Sequence, residues 1–94
     1  MGEQRQLEQF YHAILKLKTP QECELFFKDI CTVKEVQAMG QRLEVARLLD
    51  EGFNYNEVEA STGASSATIS RVNKCLLGGG GYALTLGRMK EENQ

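Results

Sequence analysis

The sequence predicts an all-α chain of six helices, and three observations carry that prediction. Apolar residues recur at three- and four-residue intervals through most of the chain, the spacing of one helix face. Thr19, Thr32 and Asn54 each stand three residues before a glutamate, the pattern of a helix start whose free amides are satisfied from both sides. Glycines punctuate the rest: Gly52, Gly63 and the run Gly78-Gly79-Gly80-Gly81 fall where helices should stop. Tyr82, Leu84 and Leu86 alternate as a strand would, but no other stretch offers them a partner. A single domain over residues 1–94 is expected, large enough for a core but too small for a generous one.

The first helix should run from about Gln4 to Lys18, with Leu7, Phe10, Tyr11, Ile14, Leu15 and Leu17 forming a broad apolar stripe. Thr19-Pro20-Gln21-Glu22 opens the second: threonine caps, proline sits where its missing amide costs nothing, and glutamate closes the box. That helix should reach about Ile30 and bury Cys23, Phe26, Phe27 and Ile30. Thr32-Val33-Lys34-Glu35 repeats the device and starts the longest helix, to about Glu51, with Val36, Met39, Leu43, Ala46 and Leu48 or Leu49 inward. Gly52 ends it. The tail, about residues 82–92, should form a short helix docked through Tyr82, Leu86 and Met89, with Glu91 to Gln94 frayed. Four successive glycines before it would cost about 1 kcal/mol each inside a helix, so they should form a flexible or sharply bent connector.

Residues 54–77, NYNEVEASTGASSATISRVNKCLL, organise the chain as a helix-turn-helix. Asn54 and Glu57 start one helix at about Tyr55, and Gly63 stops it because leaving a helix often needs a positive φ. Ser65 or Ser66 caps the next, whose Ile69, Val72, Cys75 and Leu76 share one face and meet Val58 across the corner. The opposite face carries Ser66, Ala67, Thr68, Ser70, Arg71 and Lys74 with no acid from Ser61 to Leu77. Such a face suits a DNA major groove: small residues allow close approach, hydroxyls bond bases or phosphates, and cations sit beside the backbone. The candidate DNA-binding residues are therefore Ser65, Ser66, Ala67, Thr68, Ser70, Arg71 and Lys74. Ser66, Ala67 and Ser70 are expected at base edges, Thr68 at bases or nearby backbone, and Arg71 and Lys74 at phosphates. The plain alternative is a packed helical corner that binds nothing.

Charge favours the first reading. Residues 1–60 hold eleven acids and seven bases, whereas 61–81 hold only Arg71 and Lys74. With a net charge of -2, any nucleic-acid binding must rest on that local patch rather than on a generally basic surface. No run of 18 apolar residues is present, and the charged start MGEQRQLEQ is no signal peptide, so a cytoplasmic protein without a membrane partner is expected. Cys23, Cys31 and Cys75 are odd in number and scattered, and His12 is the one histidine; a metal site or disulfide framework is not expected, and the cysteines read as small buried hydrophobes. No phosphate-binding glycine motif and no set of nucleophile, base and orienter occurs, which argues against an enzyme.

The run QRLEVARLLDEGFNYNEVEASTGASSATISRVNKCL resembles the tryptophan repressor family, and the whole chain looks like its smaller YerC/YecD group. The resemblance spans roughly Thr32 to Leu76, with a one-residue gap before Gly63. Its most specific pieces are Ala38-Met39-Gly40-Gln41-Arg42, Gly52, and Gly63-Ala64 followed by Ala67-Thr68-Ile69-Ser70-Arg71. It implies an intertwined homodimer whose N-terminal helices wrap the partner and whose two readers face adjacent grooves. The apolar surface on the first two helices, more than one small chain covers by itself, asks independently for a second copy. The resemblance also implies an effector pocket at Thr32, Arg42 and Arg71. There the chain departs from the family: Val72 replaces a glycine that leaves room for the ligand, and Cys75 replaces a serine that meets its amino group. Both changes argue against L-tryptophan, leaving a site that is closed or shaped for another small molecule.

The expected function is a homodimeric, sequence-specific DNA-binding transcription regulator, a repressor acting on a palindromic operator. The competing reading is a helical protein–protein interaction module that does not bind DNA.

Overall fold

The structure, a computed structural model, describes residues 2–92. Six helices follow one another: α1 (Gly2–Ile14), α2 (Pro20–Ile30), α3 (Val33–Asp50), α4 (Tyr55–Thr62), α5 (Ser66–Leu77) and α6 (Gly81–Glu92). No strand occurs among the described residues. Contacts group the chain into two compact units, one ending at Val36 and the other beginning at Gln37, so α3 contributes its start to the first and its remainder to the second.

In the N-terminal unit α1 ends at Ile14 rather than near Lys18. Tight turns close it, with the Lys16 amide donating to Ala13 at 3.0 Å and the Leu17 amide to Ile14 at 3.1 Å. The reason is the next helix start. Thr19 Oγ1 accepts the Glu22 amide at 3.1 Å, while a Glu22 oxygen accepts the Lys18 amide at 2.9 Å, one residue earlier than the expected box. Lys18 is thereby committed to capping α2 and cannot extend α1. Aromatic rings join the two helices, Phe10 to Phe26 at 6.1 Å between centroids and Phe26 to Phe27 at 5.6 Å. No residue of α1 or α2 is buried: Phe26 and Phe27 are half-covered, while Cys23 and Ile30, expected inside, are exposed. A pair of helices can cover only the sides that face each other, and the stripes here are wider than that.

The third cap forms as expected. Thr32 Oγ1 accepts the Glu35 amide at 3.1 Å and the Thr32 amide donates to Glu35 at 2.7 Å. Along α3, Val36 and Met39 are exposed, and the buried residues are Val45, Ala46 and Leu48. The expected stripe missed Val45, because the covered face is set by the helices packed on the last turns rather than by a pattern running the whole length.

The core of the C-terminal unit is Val45, Ala46, Leu48, Val58, Ala64, Ile69, Val72 and Leu86, with Leu43, Leu49, Leu76 and Tyr82 packed around it. Val58 and Ile69 are fully enclosed, the contact expected across the α4–α5 corner. After α5 the glycine run makes a tight bend: Gly79 has φ +73, Gly81 already belongs to α6, and the Gly79 amide donates to Leu76 at 3.2 Å. Leu86 is buried, and Lys90 Nζ reaches Asp50 at 2.6 Å, holding α6 against α3. Met89, expected to dock, is 39% exposed. Of the residues expected to fray, Glu91 and Glu92 are helical, and Asn93 and Gln94 lie outside the described residues.

Candidate nucleic-acid interface and adjoining cavity

The orientation of α5 is fixed from its N-terminus. Asn54 and Glu57 form a reciprocal cap at 2.9 and 3.0 Å that starts α4, and Gly63 ends it with φ +73. At that φ a side chain is strained, so glycine is what lets the chain turn here. Thr62 braces the corner: its hydroxyl donates to the Val58 carbonyl at 2.7 Å and accepts the Ala64 amide at 3.1 Å. From α3, Gln41 donates to the Thr62 carbonyl at 3.1 Å, tying the end of α4 to the body of the unit. Ser65 is the cap of α5, its Oγ accepting the Thr68 amide and donating to Thr68 Oγ1, both at 3.1 Å. Ser66 is therefore the first helical residue and not the cap.

With Ile69 and Val72 buried, the remaining residues of α5 take their places by helical spacing. Ser66, Ala67, Ser70, Arg71 and Lys74 are exposed together on the outer side, and Ser65 is exposed at the cap. Thr68 is only half-exposed, turned towards the body and engaged with Ser65. Neither Arg71 nor Lys74 has an ion-pair partner among the described residues, and no acid occurs from Ser61 to Lys90. Among the described residues nothing neutralises these two cations.

Beside this face lies a cavity of about 170 Å³ lined by Arg42 of α3, by Thr68, Arg71, Val72 and Cys75 of α5, and by Tyr82 of α6. Four expected residues, Arg42, Arg71, Val72 and Cys75, meet there; Thr68 and Tyr82 join them. Thr32 belongs to the N-terminal unit, where its hydroxyl caps α3. No carboxylate lines the cavity, so two guanidiniums face a space with hydroxyl, phenol and thiol around it, chemistry that favours an anion. Sequence reasoning missed Tyr82 because four glycines separate it from α5, and only the bend returns it to the neighbourhood of Val72.

Cysteine burial needs correcting. Cys23 and Cys75 are exposed and Cys31 is half-covered. On α5 the covered stripe is buried Ile69 and Val72 with half-covered Leu76; Cys75 falls roughly 90° from its middle and so reaches the cavity instead of the core. No group of ligating side chains suited to a metal ion occurs among the described residues, and no described helix is long and apolar enough to cross a membrane.

Comparison with known proteins adds to this geometry. The family profile described as Trp repressor protein matches residues 5–90. The uncharacterized protein YerC of Bacillus subtilis (strain 168) is 51% identical over 88 residues, covering 93% of this chain and 85% of its own. Crystal structures of a candidate Trp repressor from Staphylococcus aureus and of a TrpR-like protein from Eubacterium eligens ATCC 27750 each superpose with a TM-score of 0.87 at 44% identity. Each covers 92% of this chain, and respectively 87% and 90% of the other.

Proposed function

Since the chain belongs to the Trp repressor protein family, we propose that it is a sequence-specific DNA-binding transcription regulator of the cytoplasm. In this reading it acts as a homodimer on a palindromic operator and represses by occupying promoter DNA. The observation that carries the reading is the outer face of α5: small and hydroxyl side chains at its front, two cations behind them with no ion-pair partner among the described residues, and no acid in the sequence from Ser61 to Lys90. Ser65, Ser66, Ala67 and Ser70 approach the DNA first; Arg71 and Lys74 meet phosphates. Thr68, half-covered, links the reading face to the cavity. A helix held at its cap, at the Thr62 corner and through Ile69 enters a groove without first having to be ordered.

A dimer is supported by α1 and α2, which leave Leu25 67% exposed, Tyr11 56% and Leu7 47%. Exposed apolar surface of that extent, in helices with no buried residue, calls for a partner, and a second copy is always available to supply one. Two readers related by a two-fold axis would lie about one DNA turn, roughly 34 Å, apart. Purified protein selecting sites from random duplex DNA is expected to enrich a two-fold symmetric motif with half-sites at that spacing. Recovery of asymmetric or unrelated sequences would contradict the reading, and an affinity that does not change with salt would favour the protein-interaction alternative.

The cavity is the candidate site for a small-molecule effector, with Arg42 and Arg71 as anion-holding groups and Val72 and Cys75 shaping the space. Val72 puts a buried, β-branched side chain on the cavity wall where the resemblance implies a glycine, and in this reading L-tryptophan is therefore not the effector. Titration calorimetry is expected to give no heat of binding with L-tryptophan; saturable binding in the micromolar range would overturn the assignment.

A further inference from the structure

A second, more open groove of about 490 Å³ adjoins the two-arginine cavity and is lined by Leu43, Cys75, Gly81, Tyr82 and Thr85. Cys75 and Tyr82 line both spaces. One space carries the charged and hydroxyl groups of Arg42, Arg71 and Thr68; the other is faced by Leu43, by the bare backbone of Gly81 and by Thr85. Cys75 is small. Tyr82 is therefore the one bulky residue common to both linings, half-covered and packed against the core. Its position is set by the glycine bend on one side and by buried Leu86 and the Lys90–Asp50 pair on the other.

We propose that Tyr82 is the size-determining partition of this site: the ring restricts the arginine cavity to compact anions and shuts out carboxylates that carry an aromatic body. Whatever its native ligand, the cavity by itself, at about 170 Å³, offers an anion a place but little room for an apolar body beside it. Replacing the ring by a small side chain joins the cavity to the groove. The joined site holds a carboxylate at Arg42 and Arg71 and an aryl group against Leu43 and Gly81. The inference rests on reading the cavity as a ligand site; it does not require that the protein bind DNA.

Indole-3-propionate is a suitable probe. It carries a carboxylate and an aromatic body but no amino group that would need a partner at Cys75, and the chain contains no tryptophan, so indole emission reports the ligand alone. Wild-type protein and Tyr82→Phe, which keeps the ring, are expected to leave the emission unchanged on titration. Tyr82→Ala and Tyr82→Val are expected to bind with an affinity at least roughly tenfold above wild type, the scale on which a hydrophobic pocket discriminates by size. Adding Arg71→Met to Tyr82→Ala should abolish the gain. Equal binding by wild type and the small variants would show that the ring is no barrier. Folded Ala and Val variants that bind nothing would show that no joined site opens. Loss of helical far-UV signal in both would show the ring to be a core support rather than a partition. Each of these results overturns the proposal. DNA binding measured on the same samples separates its failure from that of the regulator reading: a protein that binds no DNA but shows this pattern with the probe keeps the partition.

Discussion

Arg71 and Lys74 owe their readiness to what is absent around them: neither has an acid within reach on its own helix. Arg47 shows the opposite condition, gripping Glu44 at 2.7 and 2.9 Å and Glu51 at 2.6 Å. Its hydrogen bonds hold the Glu44 carboxyl below the usual range, as the Thr32 amide and then the Thr32 hydroxyl do for Glu35. A lowered carboxyl value means that the charged form is the one the fold stabilises. The contribution is complete at neutral pH and is lost as pH falls through the lowered value. Glu35→Gln is therefore expected to lower the thermal midpoint at neutral pH and to differ little from wild type in acid, as followed by circular dichroism. Arg71 makes a different prediction. Being exposed, Arg71→Ala should leave the melting curve unchanged while weakening binding to every DNA sequence alike. In a dimer, the slope of log affinity against log salt should flatten by about two, one phosphate contact per copy. An unchanged affinity in a gel shift would remove it from the interface.

At the scale of elements, the corner between α4 and α5 decides where the reading face points. Its parts are the Asn54–Glu57 cap, the left-handed Gly63 and the Val58–Ile69 contact. Asn54→Ala removes one arm of the cap and should cost about 1 kcal/mol in urea denaturation. Ile69→Ala opens a void at a fully enclosed position and should cost about 2–5 kcal/mol, with DNA affinity falling as the corner loosens. Caps and stops of this kind are legible in a sequence, since each depends on residues three or four apart. Thr32, Asn54, Gly52 and Gly63 all act where spacing places them. The end of α1 was not legible in this way, because Glu22 captured the Lys18 amide instead of the Thr19 amide. The glycine run was legible only in part: it bends, but its last residue is already helical.

For the whole molecule, the question is what covers α1 and α2. Sedimentation or light scattering should give about twice the 10.5 kDa chain mass, and the thermal midpoint should rise with protein concentration. Leu25→Glu, at a site 67% exposed in the single chain, should lower both mass and midpoint without acting through the monomer core. A monomer at micromolar concentration with strong operator binding would contradict the two-reader arrangement, because two cations per copy neutralise too few phosphates for high affinity.

The sequence by itself determined the six helices, most of their caps and the composition of the α5 face, since these follow from local spacing and local hydrogen bonds. It also marked Arg42, Arg71, Val72 and Cys75 as neighbours, through resemblance rather than through any periodicity. Only the tertiary structure decided that Tyr82 joins them, that Cys75 faces the cavity rather than the core, and that Val45 is buried while Met39 is not. Helical periodicity says which residues share a side, whereas which side is covered depends on helices brought back by a bend that no three- or four-residue pattern encodes.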